Sequence, residues 1–214
     1  MAQTKRLIFK VNNLEKSYGS YSVLKIGKLE IHPGTIYGIV VTVGSGKSAL
    51  LNILAGIEKE SSGTVLYDDE PYQSNWLGKI LPHVEIFYSN NPELESSSQT
   101  VAGYVAEKFG KKKNVIENRY FNEGSFRNLW SRKMKLISQG ERHWLGMILA
   151  CEADPRVLLV DDYGIYFNAN MEKDFRNQLT KMNRTLGTTL VLSSPTDVHL
   201  KKFASLLIYL DNGH

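Results

Sequence analysis

Five consecutive residues, Gly44-Ser45-Gly46-Lys47-Ser48, can hold a polyphosphate. Glycines allow backbone N–H groups to close around phosphate oxygens. A helix starting near Gly46 would aim the positive end of its dipole at the anion. Lys47 can reach the β- and γ-phosphates, and the Ser48 hydroxyl can ligate Mg²⁺. The full phosphate-loop pattern, G-x-x-x-x-G-K-[ST], has its first glycine replaced by Val41. That valine either extends the strand before the loop or changes the angle at which the loop leaves it. A second run, Val157-Leu158-Leu159-Val160-Asp161-Asp162, is an apolar strand ending in two carboxylates. Beside a phosphate loop, Asp161 would hold the metal mostly through water, and Asp162 would orient or deprotonate an attacking water. Asp is also common where a strand simply passes into a loop.

These runs need a scaffold that brings them together, and the patterning supplies one. Residues 7–11, 28–31, 35–41 and 64–67 read as strands, with a turn at 32–35 and another at 61–63. Residues 44–57 read as a helix, because Leu50, Leu51, Ile53, Leu54 and Ile57 recur at helical spacing. From 138 onward helices and short apolar strands alternate: helix 138–153, strand 157–160, helix 170–186, strand 189–193, a helical stretch 194–204 and strand 206–210. Continuous apolar strands alternating with helices indicate a parallel sheet covered on both faces, in which ligands sit beyond the carboxyl ends of the strands. Residues 72–135 differ. They are polar and turn-rich near 88–100 and helical in short pieces at 101–109 and 126–130, which indicates a separate, mainly helical subdomain. The expected division is residues 1–71 and 136–214 as the core with its β subdomain, and 72–135 as the helical part.

The bulk composition permits this arrangement and excludes others. A chain of 214 residues holds one domain, or one with a small subdomain, and its balance of 42% apolar to 22% charged residues is that of a globular protein. No apolar run is long enough to span a bilayer, and the N-terminal stretch lacks a signal-peptide core. A membrane role would therefore need a separate spanning partner. Cys151 is the only cysteine, which excludes an internal disulfide and fits a reducing compartment; it is expected as a buried core thiol. The net charge of +4 suits an anionic ligand without requiring nucleic acid. Lys111–Lys113 reads as a solvated loop. His32, His83, His143, His199 and His214 share no spacing and are expected to be structural or exposed. Trp76, Trp130 and Trp144 show no pattern for stacking on nucleic acid.

A third run gives the set a family likeness. Ile137-Ser138-Gln139-Gly140-Glu141-Arg142 resembles the L-S-G-G-Q signature of the ABC ATPases, opens a helix and precedes the acidic strand. The chain is similar to that family over about residues 7–213. The resemblance implies an α/β fold: a P-loop NTPase core with a mostly parallel sheet, an N-terminal antiparallel β subdomain and a helical subdomain. It implies ATP and Mg²⁺, held between two head-to-tail domains so that Ser138 and the Gly140 amide of one cover the γ-phosphate on the other. Ser138 also reads as a helix N-cap, with Glu141 completing a capping box, and the two readings are compatible. Tyr18 matches the aromatic residue that stacks on adenine. Asn90 falls where the family has the glutamine that senses Mg²⁺ and the membrane partner. The nucleotide-holding set is thus Tyr18, Gly44, Ser45, Gly46, Lys47, Ser48, Ala49, Ser138 and Gly140. The metal set is Ser48, Asp161 and Asn90, and the catalytic set is Asp162, Ser194 and Lys47.

Departures bear on rate more than on binding. Asp162 stands where the family usually has glutamate, and Ser194 where it has a histidine that contacts the γ-phosphate. Asn168 replaces an aspartate of the interface loop, and Tyr163-Gly164 replaces Pro-Thr. A misplaced water and a less stabilised γ-phosphate would cost about 10²-fold or more in rate. The family implies a homo- or heterodimer of nucleotide-binding domains, docked on a membrane-spanning permease at the cytoplasmic face, with no nucleic acid involved. Two alternatives stay open: a nucleotide-holding, weakly hydrolytic member of a heterodimer, and an ABC ATPase acting outside transport.

Overall fold

The computed structural model describes residues 6–41, 46–90, 93–123 and 126–211. Two compact units emerge, one formed by Met1–Tyr88 with Asp154–His214 and the other by Ser89–Ala153.

The first unit opens with a long hairpin, β1 (Phe9–Tyr18) and β2 (Tyr21–Ile31), turned at Gly19 with φ 61°. Phe9, Val11 and Leu14 of β1 are buried while residues between them carry charge or amide groups, the alternation of a half-buried strand. A register shift between Lys16 and Ser17 marks an irregularity near the tip. Next come β3 (Ile36–Val41) and α1 (Lys47–Leu54). After them β4 (Ser62–Tyr67) pairs with β1 and turns into β5 (Glu70–Pro71) through Asp68 and Asp69, both at positive φ (54° and 67°). Paired positive φ values are the geometry of a tight hairpin turn, which Asp tolerates. This antiparallel sheet has the order β2-β1-β4-β5.

The second sheet of this unit is wholly parallel. It comprises β6 (Ile86–Tyr88), β7 (Val157–Val160), β8 (Thr189–Ser194) and β9 (Leu206–Leu210) together with β3, in the order β6-β7-β8-β3-β9. Every residue of β7 and β8 is buried. Leu50, Leu51, Ile53 and Leu54 of α1 join Phe9, Val11, Leu24 and Ile39 in one core.

The second unit is helical. In chain order it contains α2 (Glu93–Ser96), α3 (Val101–Phe109), α4 (Lys113–Tyr120) and α5 (Gln139–Ala153). Thr100 caps α3 by accepting the Gly103 N–H at 3.1 Å. Phe121 lies 4.7 Å from Trp130 and 5.2 Å from Trp144, and Phe126 stacks on Trp144 at 3.9 Å, so these two tryptophans serve packing. A β-carbon at Gly146, in the middle of α5, would meet the Ser89 carbonyl oxygen at 2.2 Å. The first unit resumes with β7 and then α6 (Ala169–Leu186), which ends at Gly187 with φ 71°, a left-handed C-terminal residue that glycine accommodates.

Several elements differ from expectation. The hairpin strands run well beyond 7–11 and 28–31. Residues 86–88 form a strand of the parallel sheet within the span read as helical. Residues 194–204 hold only a short 3₁₀ turn at Leu200–Lys202, and 126–130 hold only one at Arg127–Leu129. Lys111–Lys113 form a 3₁₀ turn and the start of α4, and Cys151 is half-buried rather than buried. No helix among the described residues is long and apolar enough to cross a membrane.

Candidate functional site

β3, β7 and β8 are parallel neighbours, so their carboxyl ends open on the same edge of the sheet. Val41 remains in the sheet, buried and paired with Leu210, so it extends β3. Gly44 and Ser45 lie outside the described residues. Gly46 precedes α1 with φ 76°, and a β-carbon there would meet the Val23 carbonyl oxygen at 2.3 Å. Both the left-handed backbone and the close approach to β2 demand glycine. Lys47 is then the first residue of α1, Ser48 follows it, and Ala49 packs inward.

From this start α1 meets the end of β7. The Ser48 hydroxyl donates to Asp161 Oδ2 at 2.8 Å, and the Ser193 hydroxyl donates to Asp161 Oδ1 at 2.5 Å. The Asp162 N–H also donates to Asp161 Oδ1, at 3.0 Å. Asp161 is 2% exposed, so these donors offset the cost of burying its charge. Lys47 donates to Asp162 and stands 3.4 Å from Asp161. Burial works against the ammonium charge, but the hydrogen bond to Asp162 and the charges of both carboxylates outweigh it and raise the Lys47 pKa.

Asp162 has φ 54°, an uncommon backbone for a residue with a side chain. Its carboxylate is only partly covered, in contrast with that of Asp161. Ser194 is buried and paired with Val40 at the end of β8. Its neighbour Ser193 faces Asp161, and successive strand side chains point to opposite faces. Ser193 was the residue the sequence did not single out. Its signal is only visible once β8 is known to lie beside β7.

Tyr18 is half exposed at the tip of the hairpin, with the Lys16 ammonium 5.1 Å from its ring centre. Burial, then a hydrogen bond to Glu58, pushes its hydroxyl pKa up to about 12. Lys16 also bridges to Glu58 at 2.9 Å, which fixes the ring's surroundings. Asn168 accepts the Met171 N–H at 2.9 Å and caps α6.

In the helical unit, Ser138 and Glu141 form a reciprocal cap. The Ser138 N–H and hydroxyl both donate to Glu141 Oε2 at 2.8 Å, and the Glu141 N–H donates to the Ser138 hydroxyl at 3.3 Å. Arg132 holds the same carboxylate at 3.0 and 3.1 Å. Burial alone would raise the Glu141 pKa, but the Ser138 hydrogen bonds and the Arg132 charge lower it. Gly140 lies in the first turn of α5. Asn90 sits half-buried in the turn after β6, and the Asn91-Pro92 that follow are outside the described residues.

Chemically, the first unit's site offers hard oxygen donors from Ser48 and Asp161, an ammonium and a helix N-terminus for phosphate, and a second carboxylate at its edge. Among the described residues no group of three or more His, Cys, Asp or Glu could cage a metal ion. A serine oxygen and one carboxylate fit Mg²⁺, which keeps several waters and takes substrate phosphate oxygens as ligands.

Comparison with known proteins agrees in direction. The sequence profile described as "ABC transporter" matches residues 24–163. A probable sulfate/thiosulfate import ATP-binding protein of Chlorella vulgaris is 26% identical over 95% of this chain and 87% of that protein. The tungstate uptake system ATP-binding protein of Peptoclostridium acidaminophilum is 25% identical over 95% of this chain and 94% of that protein. Other relatives are longer: the chain covers 65% of the methionine import ATP-binding protein of Clostridioides difficile (strain 630), at 27% identity. Among solved structures, a dimeric bacterial ABC transporter cassette superposes with a TM-score of 0.76 at 20% identity, covering 96% of this chain and 95% of that one. The cbiO1 structure from Clostridium perfringens gives 0.71 at 19% identity, over 97% and 86%.

Proposed function

This chain belongs to the ABC transporter family as an ATP-binding, ATPase subunit, and we propose that it hydrolyses ATP at the Lys47 site to drive a separate membrane-spanning permease. The observation that carries the reading is the convergence of Lys47, Ser48, Asp161 and Asp162 at the carboxyl ends of β3 and β7.

Lys47 and the N-terminal N–H groups of α1 bind the phosphates, and Tyr18 offers its exposed ring to adenine. Ser48 and Asp161 would hold Mg²⁺, which would neutralise phosphate charge when bound. As phosphate takes the Lys47 ammonium, the Asp162 carboxylate is released toward solvent. It then accepts a hydrogen bond from a water and orients that water's oxygen at the γ-phosphorus. The new P–O bond forms as the bond from the γ-phosphorus to the β–γ bridging oxygen breaks. ADP leaves, and the water's proton passes by way of Asp162 to phosphate or solvent. The Ser138 turn of a second copy or a sister subunit would cover the γ-phosphate, and Asn90 would sense the metal and the permease. The protein would work peripherally at the cytoplasmic face of a membrane, with helical unit and core as parts of one cassette.

ATP turnover of the purified protein with Mg²⁺, compared with Lys47→Ala, tests this. Turnover at least about 100-fold above the variant is expected, and turnover equal to the variant's would overturn the hydrolytic reading. A second reading has its own support: Asn168 is engaged in capping α6, and Ser194 is buried beside β3. On that reading the chain holds ATP in a heterodimer whose other site hydrolyses. Lys47-dependent ATP retention without turnover, restored to turnover by a sister subunit, would favour it.

A further inference from the structure

We infer that His199 is a positioning residue for Asp162, acting through Gly164 and braced by the buried carboxylate of Glu172. The inference rests on the reading of Asp162 as the water-orienting group.

Asp161 is fixed directly, by Ser48, Ser193 and the Asp162 N–H. Among the described residues the Asp162 carboxylate is met only by Lys47. The Lys47 ammonium it meets is the group that phosphate must claim, so during the reaction its direction depends on its own backbone. That backbone is a tight turn: Asp162 has φ 54° and Gly164 φ 84°, and the Ile165 N–H reaches back to the Asp162 carbonyl at 3.3 Å. The Tyr163 N–H ties the near side of the turn to the Ser193 carbonyl at 2.8 Å.

The far side rests on His199. A β-carbon at Gly164 would lie 2.6 Å from His199 Cδ2 and 3.0 Å from Cγ, so the imidazole sits directly against the bare backbone. Only glycine permits both this contact and this φ. His199 in turn is backed by Glu172 on α6, which is 2% exposed. Glu172 Oε1 lies 3.8 Å from His199 Nδ1, 3.0 Å from Arg176 Nε and 3.4 Å from the Tyr163 hydroxyl, which donates to it; its Oε2 lies 3.6 Å from Lys202 Nζ.

A buried carboxylate is costly unless its partners need it. Here one carboxylate ties down Tyr163 on one side of Gly164 and the imidazole lying on Gly164. Among the described residues the buried His199 Nδ1 has no hydrogen-bond partner, so the ring is placed by packing and by the charge behind it rather than by a directional bond. The departure from the family at 163–164 thus has a physical explanation. Gly164 makes room for an imidazole that arrives from position 199, not to touch phosphate but to hold the turn that carries Asp162.

The test is a double-mutant cycle on the full chain, with His199→Ala, Glu172→Gln and Asp162→Asn alone and paired. Hydrolysis of Mg-ATP is read under single-turnover conditions with protein in excess, where slow residual hydrolysis is measurable. Nucleotide affinity is read with a fluorescent ATP analogue, and folding by thermal melting. His199→Ala should lower the hydrolysis rate about tenfold, since small misplacements of a reacting group cost at least that much, with affinity changed less than about twofold. Paired with Asp162→Asn it should lower the rate no further. Glu172→Gln, nearly isosteric, should reproduce the pattern at about threefold and keeps the test readable if His199→Ala folds poorly. An equal loss in both backgrounds, or no loss at all, would overturn the inference while leaving Asp162 its role. An Asp162→Asn variant as active as the wild type would instead remove the reading on which the inference stands.

Discussion

The two turns proposed to bind phosphate are built in opposite ways. The Lys47 site draws on α1, the end of β7 and the end of β8, and its central carboxylate is held by Ser48 and Ser193 across long sequence separations. The Ser138 turn is made by four consecutive residues, whose cap closes on itself and borrows Arg132 from nearby. One site exists only when the parallel sheet is assembled. The other is encoded locally and belongs to a helix start that would cap itself in many settings.

Substitutions can break that contrast at either end. Asp161→Asn should have the largest effect: the buried charge that receives Ser48 and Ser193 disappears, and Mg-dependent ATP turnover should fall by about 10²-fold or more, with melting temperature as the control for folding. Gly46→Ala forces a β-carbon toward the Val23 carbonyl in a left-handed backbone, which should cost about 2–3 kcal/mol in denaturant unfolding and weaken nucleotide binding. Ser138→Ala removes only a local cap, so about 1 kcal/mol of stability should go while ATP affinity of the single chain stays unchanged. If Ser138→Ala weakened that affinity as much as Gly46→Ala does, the separation of the two turns would be wrong.

The smallest effect separates the two turns by pH. Lys47 has its pKa raised from 10.5, so its stabilising contribution is complete below that value and lost as pH climbs through the raised one. Glu141 has its pKa lowered from 4.5, so its contribution is complete above that value and lost as pH drops through the lowered one. Thermal melts of wild type, Glu141→Gln and Lys47→Met across the range should therefore differ in slope at opposite ends. Glu141→Gln should flatten the acid limb only, by less than about 1 kcal/mol.

Much of this is legible in the sequence. Apolar strands such as Val157–Val160 and the helical spacing of Leu50, Leu51 and Leu54 announced a parallel sheet flanked by helices, and the acidic pair and the Lys47 run announced the chemistry. The hairpin runs longer than the sequence suggests because Asn12, Glu15 and Ser17 put polar groups on the open face of β1, and Lys16, covered by its bridge to Glu58, interrupts the apolar alternation on the other. The three residues of β6 carry too little pattern to stand out from a polar stretch. Ser193 and Ser194 are indistinguishable in sequence. Only the pleat decides which faces Asp161. His199 could not be connected to Gly164 without knowing that the chain folds back after β8.

One packing detail reaches further. Gly146 is the midpoint of the 15-residue α5, and the Ser89 carbonyl presses against it with no space for a side chain between them. At about 22 Å long, that helix has a fulcrum at its centre, carries the Ser138 cap at one end, and at the other anchors Glu152 to Arg119 and Tyr120. Any side chain at 146 would have to displace either the helix or the bend at Ser89-Asn90.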